Sequence, residues 1–137
     1  MKRTAALRTA IAELWSADAP TRAAAAERLN AMASDLVDIR TAQPALTWAM
    51  SDPDPAVRLA AVRATHERVM GGGADVRLAV PALIELAADP DVEVRWFVWA
   101  TLDLANDRGN FLAQLPAVVK RGRADPDPNV ARITKRL

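Results

Sequence analysis

SDPDPAVRLAAV, residues 51–62, returns as ADPDVEVRWFVW at 88–99 and as ADPDPNVARI at 124–133. The first Asp of each copy stands at Asp52, Asp89 and Asp125, separations of 37 and 36 residues. A degraded copy lies upstream in SADAPTRAAAAERL, where Asp18 and Arg22 precede Asp54 and Arg58 by 36 residues. A second marker keeps the same phase: QPALTWAM, VPALIELA and LPAVVKRG carry Pro44, Pro81 and Pro116 near their starts. Two markers recurring together at one spacing are the signature of a repeat architecture.

Each unit reads as helix, tight turn, helix. Alanine, leucine and valine recur at helical spacing on both sides of the turn, and no stretch alternates like a strand. An Asp in the turn can cap the following helix by accepting its unsatisfied backbone N–H groups. Proline suits the first helical positions, where no amide hydrogen is needed. Pro53 and Pro90 also push the residue before them out of helical conformation, which stops the earlier helix. The spacing predicts first helices over about Thr4–Ser16, Thr41–Met50, Arg77–Ala88 and Phe111–Arg123. Second helices are predicted over about Pro20–Ala33, Pro55–Met70, Val92–Ala105 and Pro128–Leu137. Gly71, Gly72 and Gly73 read as a flexible link, and Asn106–Asn110 as the next turn. The expected organisation is one all-α domain over 1–137, with units of about 1–35, 36–72, 73–108 and 109–137. One hairpin cannot bury its apolar face alone, so neighbouring hairpins are expected to stack into an α-solenoid.

The pattern P-A-L followed by D-P-D-x-x-V-R resembles HEAT repeats of the short kind found in phycobilisome lyases and many bacterial scaffold proteins. The resemblance covers nearly the whole chain, clearly in the second and third units and weakly in the first. It implies a right-handed α-solenoid of about four hairpins whose second helices line a concave face. It further implies that Asp54 with Arg58, and Asp91 with Arg95, pair within or between units as a structural ladder. Arg132 stands one place later than the repeat's arginine, with Ala131 in its stead, so the fourth unit departs from the pattern.

Placing the second helices in register aligns Ala23, Leu59 and Trp96; then Glu27, Arg63 and Ala100; then Asn30, His66 and Asp103. The rows through Val62 and Trp99, and through Ala61 and Val98, read as core. Phe97 aligns with Ala24 and Ala60 and is expected to fill space between hairpins. Trp96 is the anomaly, because HEAT-like sequences commonly carry a charged residue there. Two readings of it stay open. Either Trp96 is an aromatic anchor of the kind that concentrates binding energy at interfaces, or it lies over small Ala100 and completes the core. On the first reading, Leu59, Arg63, His66, Trp96, Ala100 and Asp103 are the partner-binding set on the concave face.

Other chemistry is sparse. His66, the one histidine, is expected to be a solvated surface residue, since Glu67 points elsewhere on a helix and a general base needs an orienting partner. HEAT-like alkylpurine DNA glycosylases carry a Trp and an Asp at a spacing similar to Trp99 and Asp103, and that likeness implies an alternative DNA-directed role. A lyase-like accessory role is the other alternative that the family suggests. Lys120, Arg121, Arg123, Arg132, Lys135 and Arg136 make the C-terminal part locally basic, which is ordinary for a solvated helix face. Val130, Ile133 and Leu137 form an apolar stripe on the last helix, expected either to pack inward as a cap or to pair with a second copy.

The bulk numbers agree with this picture. The chain has 137 residues, 51% hydrophobic and 26% charged, a globular rather than a disordered composition. A net charge of +1 argues against a dedicated nucleic-acid binder. Without cysteine there is no disulfide, thiolate metal site or cysteine nucleophile, and no Gly-rich phosphate loop is present. No cofactor or metal is therefore expected. The basic N-terminus is broken by Arg8 and Glu13 and makes no secretory signal, and no run is long enough to span a bilayer. The expectation is a cytoplasmic scaffold or adaptor module that binds a protein partner and is not an enzyme.

Overall fold

The repeated Asp-Pro-Asp turn sets the architecture by using its two carboxylates differently. Asp54 accepts hydrogen bonds from the Ala56 and Val57 amides and caps a helix that begins at Pro55. Asp127 does the same for Asn129 and Val130, and Asp91 accepts from Glu93. Asp18 caps the first such helix through the Thr21 amide. Four helices therefore start at the residue after an acidic cap, where the otherwise orphaned N–H groups and the helix dipole both favour negative charge.

The computed structural model describes residues 2–71, 76–107 and 115–137. Within them the chain runs α1 (Lys2–Glu13), α2 (Ala19–Ser34), α3 (Gln43–Ala49), α4 (Pro55–Met70), α5 (Val80–Leu86), α6 (Val92–Asp107), α7 (Leu115–Arg123) and α8 (Pro128–Thr134). The described residues contain no strand. Each odd-numbered helix packs on the even-numbered one that follows it. The even-numbered helices also pack in series, α2 on α4, α4 on α6 and α6 on α8. The expected links at Gly72–Gly73 and Arg108–Asn110, and the expected helix start at Phe111, lie outside the described residues.

Two of the first helices are shorter than their sequence suggests. One-turn 3-10 helices at Arg40–Ala42 and Arg77–Ala79 precede α3 and α5. The cause is Pro44 and Pro81. Neither has an N–H to donate to the carbonyl four residues back, so the carbonyls of Arg40 and Arg77 are taken instead by Gln43 and Val80 at three-residue spacing. At the other extreme, α6 runs through Asn106 and Asp107, where a turn was expected.

Small residues let the even-numbered helices approach closely. Ala25, Ala26, Leu29 and Ala33 of α2 are buried, as are Val57, Ala60, Ala61, Ala64 and Val69 of α4 and Val98, Trp99, Leu102 and Ala105 of α6. Their three- and four-residue spacing makes one apolar stripe per helix. Trp99 is 1% exposed and its ring lies against Gly122 of α7: a Cβ built there would come within 2.7 Å of the indole. At the C-terminal end Val130 is fully buried, and Ile133 and Leu137 are half-buried against the same core. The stripe on α8 thus packs inward, the first of its two expected dispositions.

The Arg–Asp ladder has different rungs from those the resemblance implied. Arg22 Nε lies 2.7 Å from Asp52 Oδ2, Arg58 Nε 2.7 Å from Asp89 Oδ2, and Arg95 Nε 2.8 Å from Asp125 Oδ2. Every rung joins one helix pair to the next. The acceptor is the first Asp of the turn, whereas Asp54 and Asp91, the expected partners, are engaged as helix caps. The second oxygen of each first Asp accepts the backbone N–H two residues on, 2.9 Å from Asp54, Asp91 and Asp127. Each arginine also donates from Nη1 to a carbonyl of its own turn, Ser16, Asp52 or Asp89, at 2.9 to 3.0 Å. One guanidinium therefore holds two turns at fixed separation, a use of its planar fork that a lysine ammonium cannot copy.

Candidate partner-binding site

Trp96 projects from α6 beside Phe97, and both rings meet His66 of α4. Trp96 and Phe97 stand 5.1 Å apart at 88°, His66 and Phe97 5.4 Å apart at 72°, and His66 and Trp96 6.4 Å apart at 55°. Near-perpendicular rings at these distances set the positive edge of one against the negative face of another, an arrangement worth roughly 1 kcal/mol per pair beyond burial. The Arg63 guanidinium sits 5.8 Å from the Phe97 ring centroid and 4.0 Å from the Glu27 carboxylate of α2. Trp96 remains 36% exposed. It is an indole displayed at the surface on a packed footing.

The centre of the cluster is Phe97, which the register had assigned to space filling. That assignment describes where the ring sits, half-buried between α4 and α6, but its contacts orient His66, Trp96 and Arg63 together. The signal was present in the alignment of the units. Where two copies have alanine and the third has phenylalanine, the extra volume must displace something, and here it lies under the neighbouring row.

His66 is not the solvated histidine expected from sequence. Its Nδ1 is buried and has no hydrogen-bond partner among the described residues. Burial pushes the imidazole below the ordinary histidine value of 6.5, with the Glu67 carboxylate acting weakly in the opposite sense. The ring is therefore neutral at physiological pH. In this state it serves as an aromatic wall for Trp96.

The remaining candidates divide. Leu59 is half-buried and packs against the core, and Ala100 is buried. Asp103 is also buried, and it faces Arg136 beyond α8, whose Nε lies 3.3 Å from Asp103 Oδ2. Burial raises the Asp103 carboxyl above the usual carboxylate range, Arg136 pulls it down and Asp107 pushes it up. Trp99, the other half of the Trp–Asp pair, is 1% exposed with its ring against Gly122 and offers no ring face on which a base could stack. The two residues thus do not line a common open groove.

A second concavity escaped sequence reading. A cleft of about 330 Å3 lies between the C-terminal turn of α4 and the segment after α2, lined by Leu36, Val37, Asp38, Arg40, Glu67 and Arg68. Leu36 has φ 61° and is exposed. It occupies the left-handed position of a Schellman ending, with Val37 N–H donating to Met32 and Leu36 N–H to Ala33. Asp38 and Arg40 close on each other at the rim, where the Arg40 side chain and amide hold the Asp38 carboxyl below its usual range. Among the described residues no group of three or more His, Asp or Glu is placed to hold a metal ion, and no helix is long and apolar enough to cross a membrane.

No family model matches the chain, and no curated protein matches it either.

Proposed function

We propose that the chain is a small binding module of the HEAT-like kind, a right-handed α-solenoid whose second helices α2, α4, α6 and α8 offer a concave face to a protein partner in the cytoplasm. The observation that carries this reading is Trp96: a large apolar side chain, 36% exposed, standing on Phe97 and His66 with Arg63 alongside. A rigid, partly exposed tryptophan next to an arginine has the composition of an interface hot spot, because little side-chain entropy remains to be lost on binding. The inter-pair rungs at Arg22, Arg58 and Arg95 support the solenoid part of the proposal, since they repeat one geometric relation from pair to pair.

The test is a partner recovered by affinity capture with the wild-type chain. Trp96→Ala should lose that partner by at least about tenfold in affinity, a hot-spot magnitude, while helicity and melting temperature persist. Retention of the partner by the folded variant would remove Trp96 from the interface.

A further inference from the structure

Trp96 owes its displayed position in part to a ring that can change charge. The His66 imidazole stands 6.4 Å from the Trp96 ring and 5.4 Å from Phe97, so the indole is backed by Phe97 of its own helix and by His66 of α4. The imidazole is half-buried where α4 meets α6, with Nδ1 enclosed and unbonded. Asn30 Oδ1, an acceptor at the same register on α2, is also buried without a partner, so the two atoms do not meet. The neutral ring can leave Nδ1 bare and keep its proton on Nε2. In the cationic ring both nitrogens carry protons, and Nδ1–H becomes a buried, charged donor with no acceptor, a costly kind of unpaired polar group.

The carboxylates of the helices packed on α4 are committed elsewhere. On α4 itself Arg63 is a second cation, Arg68 reaches Gln43, and Glu67 favours the charged imidazole less than burial opposes it. On α2, Glu27 is turned to Arg63, Arg28 to Glu13 and Arg22 to Asp52. α3 has no titratable group. On α6, Arg95 is held by Asp125, and Asp103 and Asp107 face Arg136. Glu93 is exposed in the first turn of α6, where solvent screens it. We infer that His66 is a proton-operated seat for Trp96: neutral, it holds the indole in its displayed position, and doubly protonated, it swings out of the contact between α4 and α6 and lets the indole go.

One attraction opposes this, that of a cation for an aromatic ring. The Phe97 ring already has the Arg63 guanidinium 5.8 Å from its centroid, so a charged imidazole there would meet a like charge. Outward rotation takes both N–H groups to water and leaves Trp96 with Phe97 alone. The indole then has more freedom to lose on binding, and acid weakens the face it displays. That a partner grips the seated indole rests on the proposed function; the seat itself does not.

The experiment follows the isotope-labelled full chain by NMR between about pH 7.5 and pH 5, the range in which an imidazole titrates. The His66 Cε1–H and Trp96 indole N–H signals should move with one shared midpoint below 6.5. The indole of Trp99, 1% exposed, should stay still and report an intact core. In His66→Gln the Trp96 signal should no longer move. Asp103→Asn should keep the transition, and Glu67→Gln should shift its midpoint lower, which keeps the test decisive should His66→Gln fail to fold. A midpoint at or above 6.5, or a Trp96 signal indifferent to His66, would overturn the proposal. So would a transition that persists in His66→Gln or disappears in Asp103→Asn, or a Trp99 signal that moves in step. A partner recovered by affinity capture should bind wild type roughly threefold or more weakly at about pH 5.5 than at about pH 7.5, and His66→Gln with little change; an equal decline in both would overturn the regulation. A partner retained by Trp96→Ala beside an intact titration would remove the binding reading and leave the seat.

Discussion

Arg58 of α4 and Asp89, thirty-one residues ahead of it, meet with Nε 2.7 Å from Oδ2, and the carboxylate side chain is only 4% exposed. Removing the arginine leaves that carboxylate buried without its cation, so Arg58→Ala should cost about 2–4 kcal/mol. Arg58→Lys should cost less but remain destabilising, because one ammonium cannot reach Asp89 and the Asp52 and Pro53 carbonyls in the same fork. Asp54→Ala, which removes only a cap, should cost about 1 kcal/mol. Urea denaturation of Asp54→Ala and Asp89→Ala side by side checks the division of labour: equal losses would contradict it.

Gly122 is a packing requirement. A Cβ there would stand 2.5 Å from Thr134 Cγ2 and 2.7 Å from the Trp99 ring. Alanine would gain about 1 kcal/mol in helix propensity, but overpacking at a buried three-way contact costs about 1–3 kcal/mol. Gly122→Ala should therefore melt lower than wild type. A higher melting temperature would mean that α7 moves away without penalty.

Leu36 offers the opposite result. Its left-handed backbone costs a non-glycine residue at least about 1 kcal/mol, while glycine adds roughly 0.5 kcal/mol of unfolded-chain entropy to be lost. Leu36→Gly should thus raise the urea midpoint slightly. The side chain is exposed, so little packing is forfeited.

Acid should weaken the fold through His66. Its folded value lies below the unfolded 6.5, so below that pH the unfolded chain binds more protons than the folded one. Stability is at full strength above pH 6.5 and falls as pH drops through the window beneath it. In His66→Leu that part of the pH dependence should vanish, as read from denaturation midpoints at neutral pH and near pH 5.

Asp103 has the reverse sign. Its folded value is raised, so the folded chain holds the proton more tightly and stability declines as pH rises above the ordinary value of 3.8. Arg136 compensates only in part, since two thirds of its side chain is exposed and solvent screens the pair. Asp103→Asn should melt higher than wild type at pH 7, and the difference should close near pH 3.

The turns were readable because their chemistry is local. Asp54 followed by Pro55 specifies a cap and a first helical residue within two positions, and α4 begins and ends where the pattern puts it, at Pro55 and Met70. The rungs were not readable, because Asp52 and Asp54 are chemically identical and two residues apart. Only the direction of the preceding arginine distinguishes them. Asp103 was misplaced for a similar reason: the register aligned it with His66, but nothing in a repeat pattern reveals that Arg136 reaches back to cover it. Trp15 and Trp48 occupy unequal positions in their units, so no row of the alignment brings them together. Their contact joins the turn after α1 to a residue of α3.

The rungs also have a beginning and an end written in two residues. Where three turns carry Asp52, Asp89 and Asp125, the first carries Ser16, whose hydroxyl accepts the Asp18 amide as those carboxylates accept theirs but brings no charge. Where three second helices carry Arg22, Arg58 and Arg95, the last carries Ala131. The turn before α2 thus offers no carboxylate at the rung position, and α8 offers no arginine at the position of Arg22, Arg58 and Arg95. At each end of the described helices the relation that recurs three times is therefore left with one of its two charges missing.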